Sequence, residues 1–276
     1  MDKKNAVVGV FDSGVGGLSV LVELIKVLPY QSFIYFADTE NCPYGPKGKD
    51  EIIRLSDSIT KFLLENGCCA IVVACNTATA AAIDYLRSSY SVPFVGMEPA
   101  IKPAALSTKT KSIGVLATAG TFNGRLYQET SAKYASGINI VYKIGNGLVE
   151  LVEQGKSNST EAKLLIDSYV LPMLEDNIDH LVLGCTHYPF FTSILKKILP
   201  KSVVIVNPAP AVAKQTLRVL GENQVCNNHE SSQLNTEPFV HFFSSGETEI
   251  LQRMVAEIEK GGDLKISNKK FSTVTI

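Results

Sequence analysis

The chain has 276 residues, enough for one large domain or two of ordinary size. Its net charge of −1 offers no electrostatic footprint for nucleic acid, and no apolar run is long enough for a membrane helix, so neither partner is expected. Six cysteines in this length make no disulfide framework, and Met1-Asp2-Lys3-Lys4-Asn5 runs into a strand without a signal peptide's apolar stretch, so a cytoplasmic protein is expected.

Residues 6–11 read as a strand, followed by the Gly-rich turn Asp12-Ser13-Gly14-Val15-Gly16-Gly17. An amphipathic helix is predicted over 15–28, stopped by Pro29. A strand over 33–36 leads into a polar loop, 38–48, which contains Pro43, Gly45 and Pro46. A helix over 50–66 stops at Gly67. The strand 70–74 ends at Cys75, an Ala-rich helix covers 77–88, and a strand (92–95) and a helix (98–106) complete the series. A second series then runs strand 112–116, helix 122–134, strand 138–141, helices 149–154 and 161–174, and strand 180–183. A helix over 191–199 and a strand over 203–206 follow. Such alternation predicts an α/β class with mostly parallel sheets. Beyond Pro210 come a helix (211–220), a polar segment (223–238) read as surface loop or partly disordered, a strand (239–243) and a helix (247–259).

Two stretches echo each other. Ile71-Val72-Val73-Ala74-Cys75-Asn76-Thr77 and Leu181-Val182-Leu183-Gly184-Cys185-Thr186-His187 each place a thiol after a buried-type strand, then polar groups that can open a helix. The cysteines are 110 positions apart, and a second echo, Gly9 with Gly114, is 105 apart. Near-equal offsets suggest duplication. We therefore expect two pseudo-symmetric three-layer α/β domains with the thiols facing each other across a cleft at the strands' carboxyl ends. The tail has no place in the second half, so the expected split is 1–97 plus 209–276 against 98–208.

Each candidate group also has an ordinary reading. The Gly-rich turn could approach an anion closely, yet it lacks the Lys-[Ser/Thr] ending of a P-loop and does not match G-x-G-x-x-G. Asp12, Asn76 and Thr77 could simply cap helices. His187, two residues after Cys185, is a credible partner for that thiol. Glu150 and Glu153 lie three apart on a short helix, by default a solvated face. Cys185-x-His187 could supply two metal ligands, but no matching second pair stands out, so no metal is expected. Cys68 and Cys69 read as packing, and Cys42 and Cys226, in polar segments, are assigned no chemistry.

Together, Asp12-Ser13-Gly14, Pro43-Tyr44-Gly45, Cys75-Asn76-Thr77 and Gly184-Cys185-Thr186-His187 resemble the four signature segments of bacterial glutamate racemases. The resemblance spans nearly the whole chain, with a departure at Asn146-Gly147, where many relatives carry Cys-Pro. It implies a cofactor-independent amino-acid racemase with its active site between two domains, supplying D-glutamate for peptidoglycan, and so for cell wall and cell shape. By this resemblance Cys75 and Cys185 are the catalytic cysteines, acting on D- and L-glutamate respectively. Asp12 and His187 stand beside the first and second thiol, and Glu153 is the assisting carboxylate, with Glu150 as the alternative. Asp12, Ser13, Pro43, Tyr44, Gly45, Asn76, Thr77, Thr186 and His187 match positions that hold substrate, as do Thr118 and Thr121. The expected partners are glutamate and a second copy of the chain in a homodimer. Activator-responsive relatives carry an N-terminal extension, so that regulation is not expected here.

Racemisation needs a proton removed from one face of the α-carbon and returned to the other, which two thiols, one ionised and one not, can do. A free cysteine has a pKa of about 8.5, so the thiols need assistance. Backbone amides after Ser13, Asn76 and Thr186 could stabilise the carboxylate as negative charge builds. The competing readings are an aspartate racemase with the same thiols, a two-lobed anion-binding protein, and a cysteine hydrolase using one thiol with His187. A binder has no reason for thiols on both faces, and a hydrolase leaves Cys75 and the duplication unexplained.

Overall fold

The computed structural model describes residues 7–222, 237–262 and 264–276; most of the polar segment 223–238, and Cys226 with it, lies outside them. Runs of β-branched and aromatic residues form β1 (Val7–Asp12), β2 (Ser32–Ala37), β3 (Cys68–Val73) and β4 (Phe94–Gly96). The helices α1 (Leu18–Val27), α2 (Lys49–Glu65) and α3 (Asn76–Ser89) connect them, and α4 (Ile101–Ser107) follows. The second series is β5 (Ser112–Ala117), α5 (Ala119–Phe122), α6 (Arg125–Tyr134), β6 (Asn139–Ile144), α7 (Leu148–Glu153) and α8 (Thr160–Glu175). It closes with β7 (His180–Gly184), α9 (Thr192–Ile198) and β8 (Val204–Val206). The tail supplies α10 (Ala209–Glu222), β9 (Val240–Ser244), α11 (Glu249–Lys260) and β10 (Lys269–Thr273).

The strands form two sheets, ordered β10-β9-β2-β1-β3-β4 and β6-β5-β7-β8. Every pairing among the described residues is parallel. The first four strands and the next four repeat one order, with β5 in the place of β1 and β7 in that of β3. The tail strands extend the first sheet, and α10 lies against α1.

Both faces of each sheet are covered, which explains the nearly continuous apolar strands. Val8, Val10, Tyr35 and Val72 pack with Leu21 and Leu24 of α1 and Val212 of α10. Their neighbours Ile34, Phe36, Ile71 and Val73 point the other way, onto Ile59 and Leu63 of α2 and Ile83 of α3. In the second sheet, Ile113 and Val115 meet Ile101 and Ala104 of α4, while Leu181 and Leu183 share a core with Ile166 and Val170 of α8. Each such Val, Leu, Ile or Phe side chain contributes about 1.5–3 kcal/mol on leaving water.

Register then places the polar groups. Phe11 pairs with Val73, and Ala117 with Gly184, so Asp12 and Cys75 leave one edge together, as do Thr118 and Cys185 at the other. Three local expectations change. The helix expected over 122–134 is broken in two because Gly124 adopts an extended conformation (φ −74°, ψ 141°) and starts α6 afresh. Cys185 is followed by a 3₁₀ turn, Tyr188–Phe191, with Pro189 in its first turn, before α9 begins. β10, not foreseen, is an edge strand whose Lys269 and Lys270 face solvent. Among the described residues no helix is long and apolar enough to cross a membrane.

Candidate active site

β1 delivers Asp12 and the turn 13–17 to the carboxyl edge of the first sheet. The Asp12 carboxylate is fully buried; its Oδ2 accepts from Gly17 N–H (2.6 Å) and from Thr186 Oγ1 (3.2 Å). Asp12 therefore does hold a turn, its ordinary reading, but also reaches a residue of the second sheet. Cys75 itself is the N-cap of α3: its Sγ accepts from Ala78 N–H at 3.4 Å. The thiol thus takes the capping place that Asn76 or Thr77 could have held. Its proton points to Ser13 Oγ at 3.8 Å, and Ser13 donates to Asp12 Oδ1 at 3.5 Å.

The second thiol has a matching chain behind it. Cys185 Sγ faces His187 Nδ1 at 3.7 Å, and His187 Nε2 donates to Glu153 Oε1 at 2.6 Å. Glu153, the last residue of α7, accepts from Val15 N–H at 2.8 Å as well. The amides of the Gly-rich turn, expected to face a ligand, are thus engaged: Val15 binds Glu153 and Gly17 binds Asp12. The glycines have a steric role here. A Cβ on Gly14 would overlap the Glu153 carboxylate, and one on Gly16 the His187 ring. Tyr35 Oη donates to Gly14 O (2.8 Å) and fixes the turn from below.

Burial sets the proton affinities. It raises the Asp12 carboxyl, although the His187 charge pulls it back. It drives the Cys75 thiol far above its usual value, and the Asp12 charge adds to this, so Cys75 holds its proton. The Cys185 charge also raises Cys75, so the second thiol is felt at the first. For His187 burial opposes the charged ring, but hydrogen bonds with Cys185, Cys42 and Glu153 outweigh it and keep the imidazolium well above the usual range.

The remaining expected residues surround these groups. Thr77 Oγ1 and Thr118 Oγ1 meet across the two sheets at 2.8 Å, and Thr118 meets Thr121 at 3.0 Å. Ser19 Oγ donates to Thr186 O (2.9 Å), a further crossing contact. Asn76 Oδ1 is buried and has no partner, an acceptor suited to an ammonium group. Tyr44 is buried with its hydroxyl donating to Asp38. Pro43 and Gly45 line a cavity of about 210 Å³ shared with Thr118 and Glu150, and Gly45 and Thr77 line another of about 550 Å³. Neither cavity touches a thiol; Cys75 and Cys185 are 4% and 7% exposed beyond them. Glu150 is exposed, whereas Glu153 stands against His187. Cys42, given no chemistry from sequence, also lies beside His187; its one local signal is its place just before Pro43-Tyr44-Gly45.

Comparison with known proteins finds related sequences and the same fold. The pattern of the family described as Asp/Glu/Hydantoin racemase matches residues 18–216. A glutamate racemase from Herpetosiphon aurantiacus is 47% identical over 228 residues, covering 83% of this chain and 90% of the relative. The crystal structure of a glutamate racemase isoform from Bacillus anthracis superposes with a TM-score of 0.84 at 31% identity, covering 99% of this chain and 98% of the other. That of a glutamate racemase from Francisella tularensis in complex with D-glutamate gives 0.80 at 26% identity, with 98% of each chain covered.

Proposed function

Because the chain belongs to the glutamate racemases of the Asp/Glu/hydantoin racemase family, isomerases of amino acids, we propose that it inverts glutamate by proton transfer between Cys75 and Cys185. The observation that carries this reading is the pair of strand-end thiols at equivalent places in two sheets of one strand order, near enough for the Cys185 charge to raise Cys75.

In the L-to-D direction, the Cys185 thiolate takes the α-proton; the C–H electron pair passes into the carboxylate as an enediolate-like charge. Cys75, which burial keeps protonated, delivers its proton to the opposite face. The reverse reaction exchanges these roles. His187 faces the Cys185 sulfur and assists its proton transfers, with Glu153 orienting the ring. Asp12, through Ser13, receives and returns the Cys75 proton. Asn76 Oδ1 suits the substrate ammonium, and Thr77, Thr118, Thr121 and Thr186 supply hydroxyls for its carboxylates. Pro43 and Gly45 form one wall, with Tyr44 held behind them by Asp38. With both thiols buried, the halves must part for glutamate to enter and close again for the chemistry, excluding water and strengthening these interactions. In this reading 1–97 with 209–276 carries Cys75, 98–208 carries Cys185, and the chain works as a cytoplasmic homodimer supplying D-glutamate for peptidoglycan.

The decisive experiment incubates the purified protein with L-glutamate in deuterated water without added cofactor. Circular dichroism follows inversion, and mass spectrometry follows α-deuterium. Inversion with deuterium in the product is expected; dependence on pyridoxal phosphate, or clear preference for aspartate, would overturn the reading.

A further inference from the structure

One side chain beside the second thiol is given no role in the proton transfer described above. Cys42, in the loop after β2, brings a third thiol to the groups behind Cys185. A ligating atom from each of Cys42, Glu153 and His187 lies within 4.8 Å of the others. None of the three is adjacent in sequence to another, and they come from both halves of the molecule: Cys42 from a loop of the first sheet, Glu153 and His187 from the second series.

We propose that Cys42, Glu153 and His187 form an inhibitory binding site for a zinc-like divalent cation that clamps the two halves together. One sulfur, one imidazole nitrogen and one carboxylate oxygen suit zinc and disfavour magnesium or calcium, which prefer oxygen alone. Tetrahedral bonds of about 2.0–2.3 Å hold ligand atoms roughly 3.5 Å apart, so a contraction of about 1 Å completes the set. Glu153 Oε1 and His187 Nε2, now sharing a proton at 2.6 Å, would move slightly apart to admit the ion between them. The Cys42 thiol proton and the proton on His187 Nε2 both pass to solvent. Thiolate and carboxylate then neutralise the 2+ charge, so no net charge is left in a buried place.

An approach for the ion is present. Glu153 also lines a cavity of about 330 Å³ with Glu247, Glu249, Ile250 and Arg253, three carboxylates to one guanidinium. This acidic mouth draws cations to Glu153 without passage through the substrate cleft. Once bound, the ion would occupy the His187 nitrogen that Glu153 orients and hold the loop after β2 against the second sheet, so the cleft could not part. The binding half of this inference is independent of the racemase reading; the inhibition half rests on it.

The test titrates the full-length protein with zinc against a chromophoric chelator and, separately, records cobalt(II) absorption. One tight zinc per chain is expected, with a thiolate-to-cobalt charge-transfer band. Cys42→Ser should weaken zinc by at least 10-fold and lose the band, whereas Cys75→Ser keeps both. Glu153→Gln should also weaken zinc, which protects the test if the Cys42 variant fails to fold. Zinc should inhibit wild-type racemisation at concentrations at least 10-fold below those needed for Cys42→Ser. Absence of stoichiometric binding, or a band that survives Cys42→Ser and vanishes in Cys75→Ser, overturns the proposal.

Discussion

At the scale of single residues, the two polar chains behind the thiols make separable demands. Cys75→Ala and Cys185→Ala are each expected to lower racemisation by at least about 10³-fold, because either loss leaves one face without a proton carrier. Cys75→Ser and Cys185→Ser keep the shape but bind the proton more tightly, so the two directions should slow unequally. Elimination of water from a β-hydroxylated glutamate needs only one base, and each Ser variant should retain it with the enantiomer facing its intact thiol. Near wild-type racemisation by either Ala variant would favour a single mobile base. Gly16→Ala tests the packing: its Cβ enters the space of the His187 ring. A cost of about 1–3 kcal/mol in stability is expected, with a fall in kcat larger than any change in KM, read by steady-state kinetics and thermal melts. The site was legible in sequence wherever its residues stand together in short segments, as Asp12-Ser13 and Thr186-His187 do. The contacts of Glu153 were not, since Val15 lies 138 positions away and His187 34. Cys42 was overlooked for the same reason: nothing in a polar loop tells which distant ring it will meet.

Elements fared according to burial. β1, β3, β5 and β7 are central strands, covered on both faces, and their apolar runs announce them. β10, an exposed edge made of Lys269, Lys270, Phe271, Ser272 and Thr273, has too little apolar content to announce itself; it exists because β9 offers an unpaired edge. The junction of α4, β5 and β7 shows how one carboxylate ties elements together. Asp179 accepts from Lys109 N–H (2.6 Å) and Thr110 N–H (3.0 Å), and meets His180 Nδ1 at 2.7 Å. Burial works against its charge, but bonds from His180, Thr108, Thr110 and Lys109 prevail and hold its pKa well below the usual carboxylate range. A carboxylate depressed in the folded state contributes stability that is present above its unfolded pKa of about 4 and lost as pH falls through the folded value. Asp179→Asn should therefore cost about 1–2 kcal/mol at pH 7. The gap from wild type should narrow below about pH 4, as urea unfolding at several pH values would reveal.

For the whole molecule, the route of the chain between its sheets matters most. It leaves the first sheet after Gly96 and returns after Val206 through α10, which lies on α1. Gly96, Glu98 and Pro99 line the same cavity of about 300 Å³ as Val206, Asn207 and Pro208, so both passages lie side by side. The middle piece therefore begins and ends at neighbouring points, the property that lets one unit be inserted within another. It follows that the molecule should be divisible. A polypeptide of residues 98–208, and another joining 1–97 to 209–276 through a short Gly-Ser linker, would each carry one sheet and one thiol. Neither alone should exchange the α-hydrogen of glutamate and invert it. Mixed, they should reassemble through their common core and recover racemisation in proportion to complex formed, so that two inert fragments titrate one another into an enzyme.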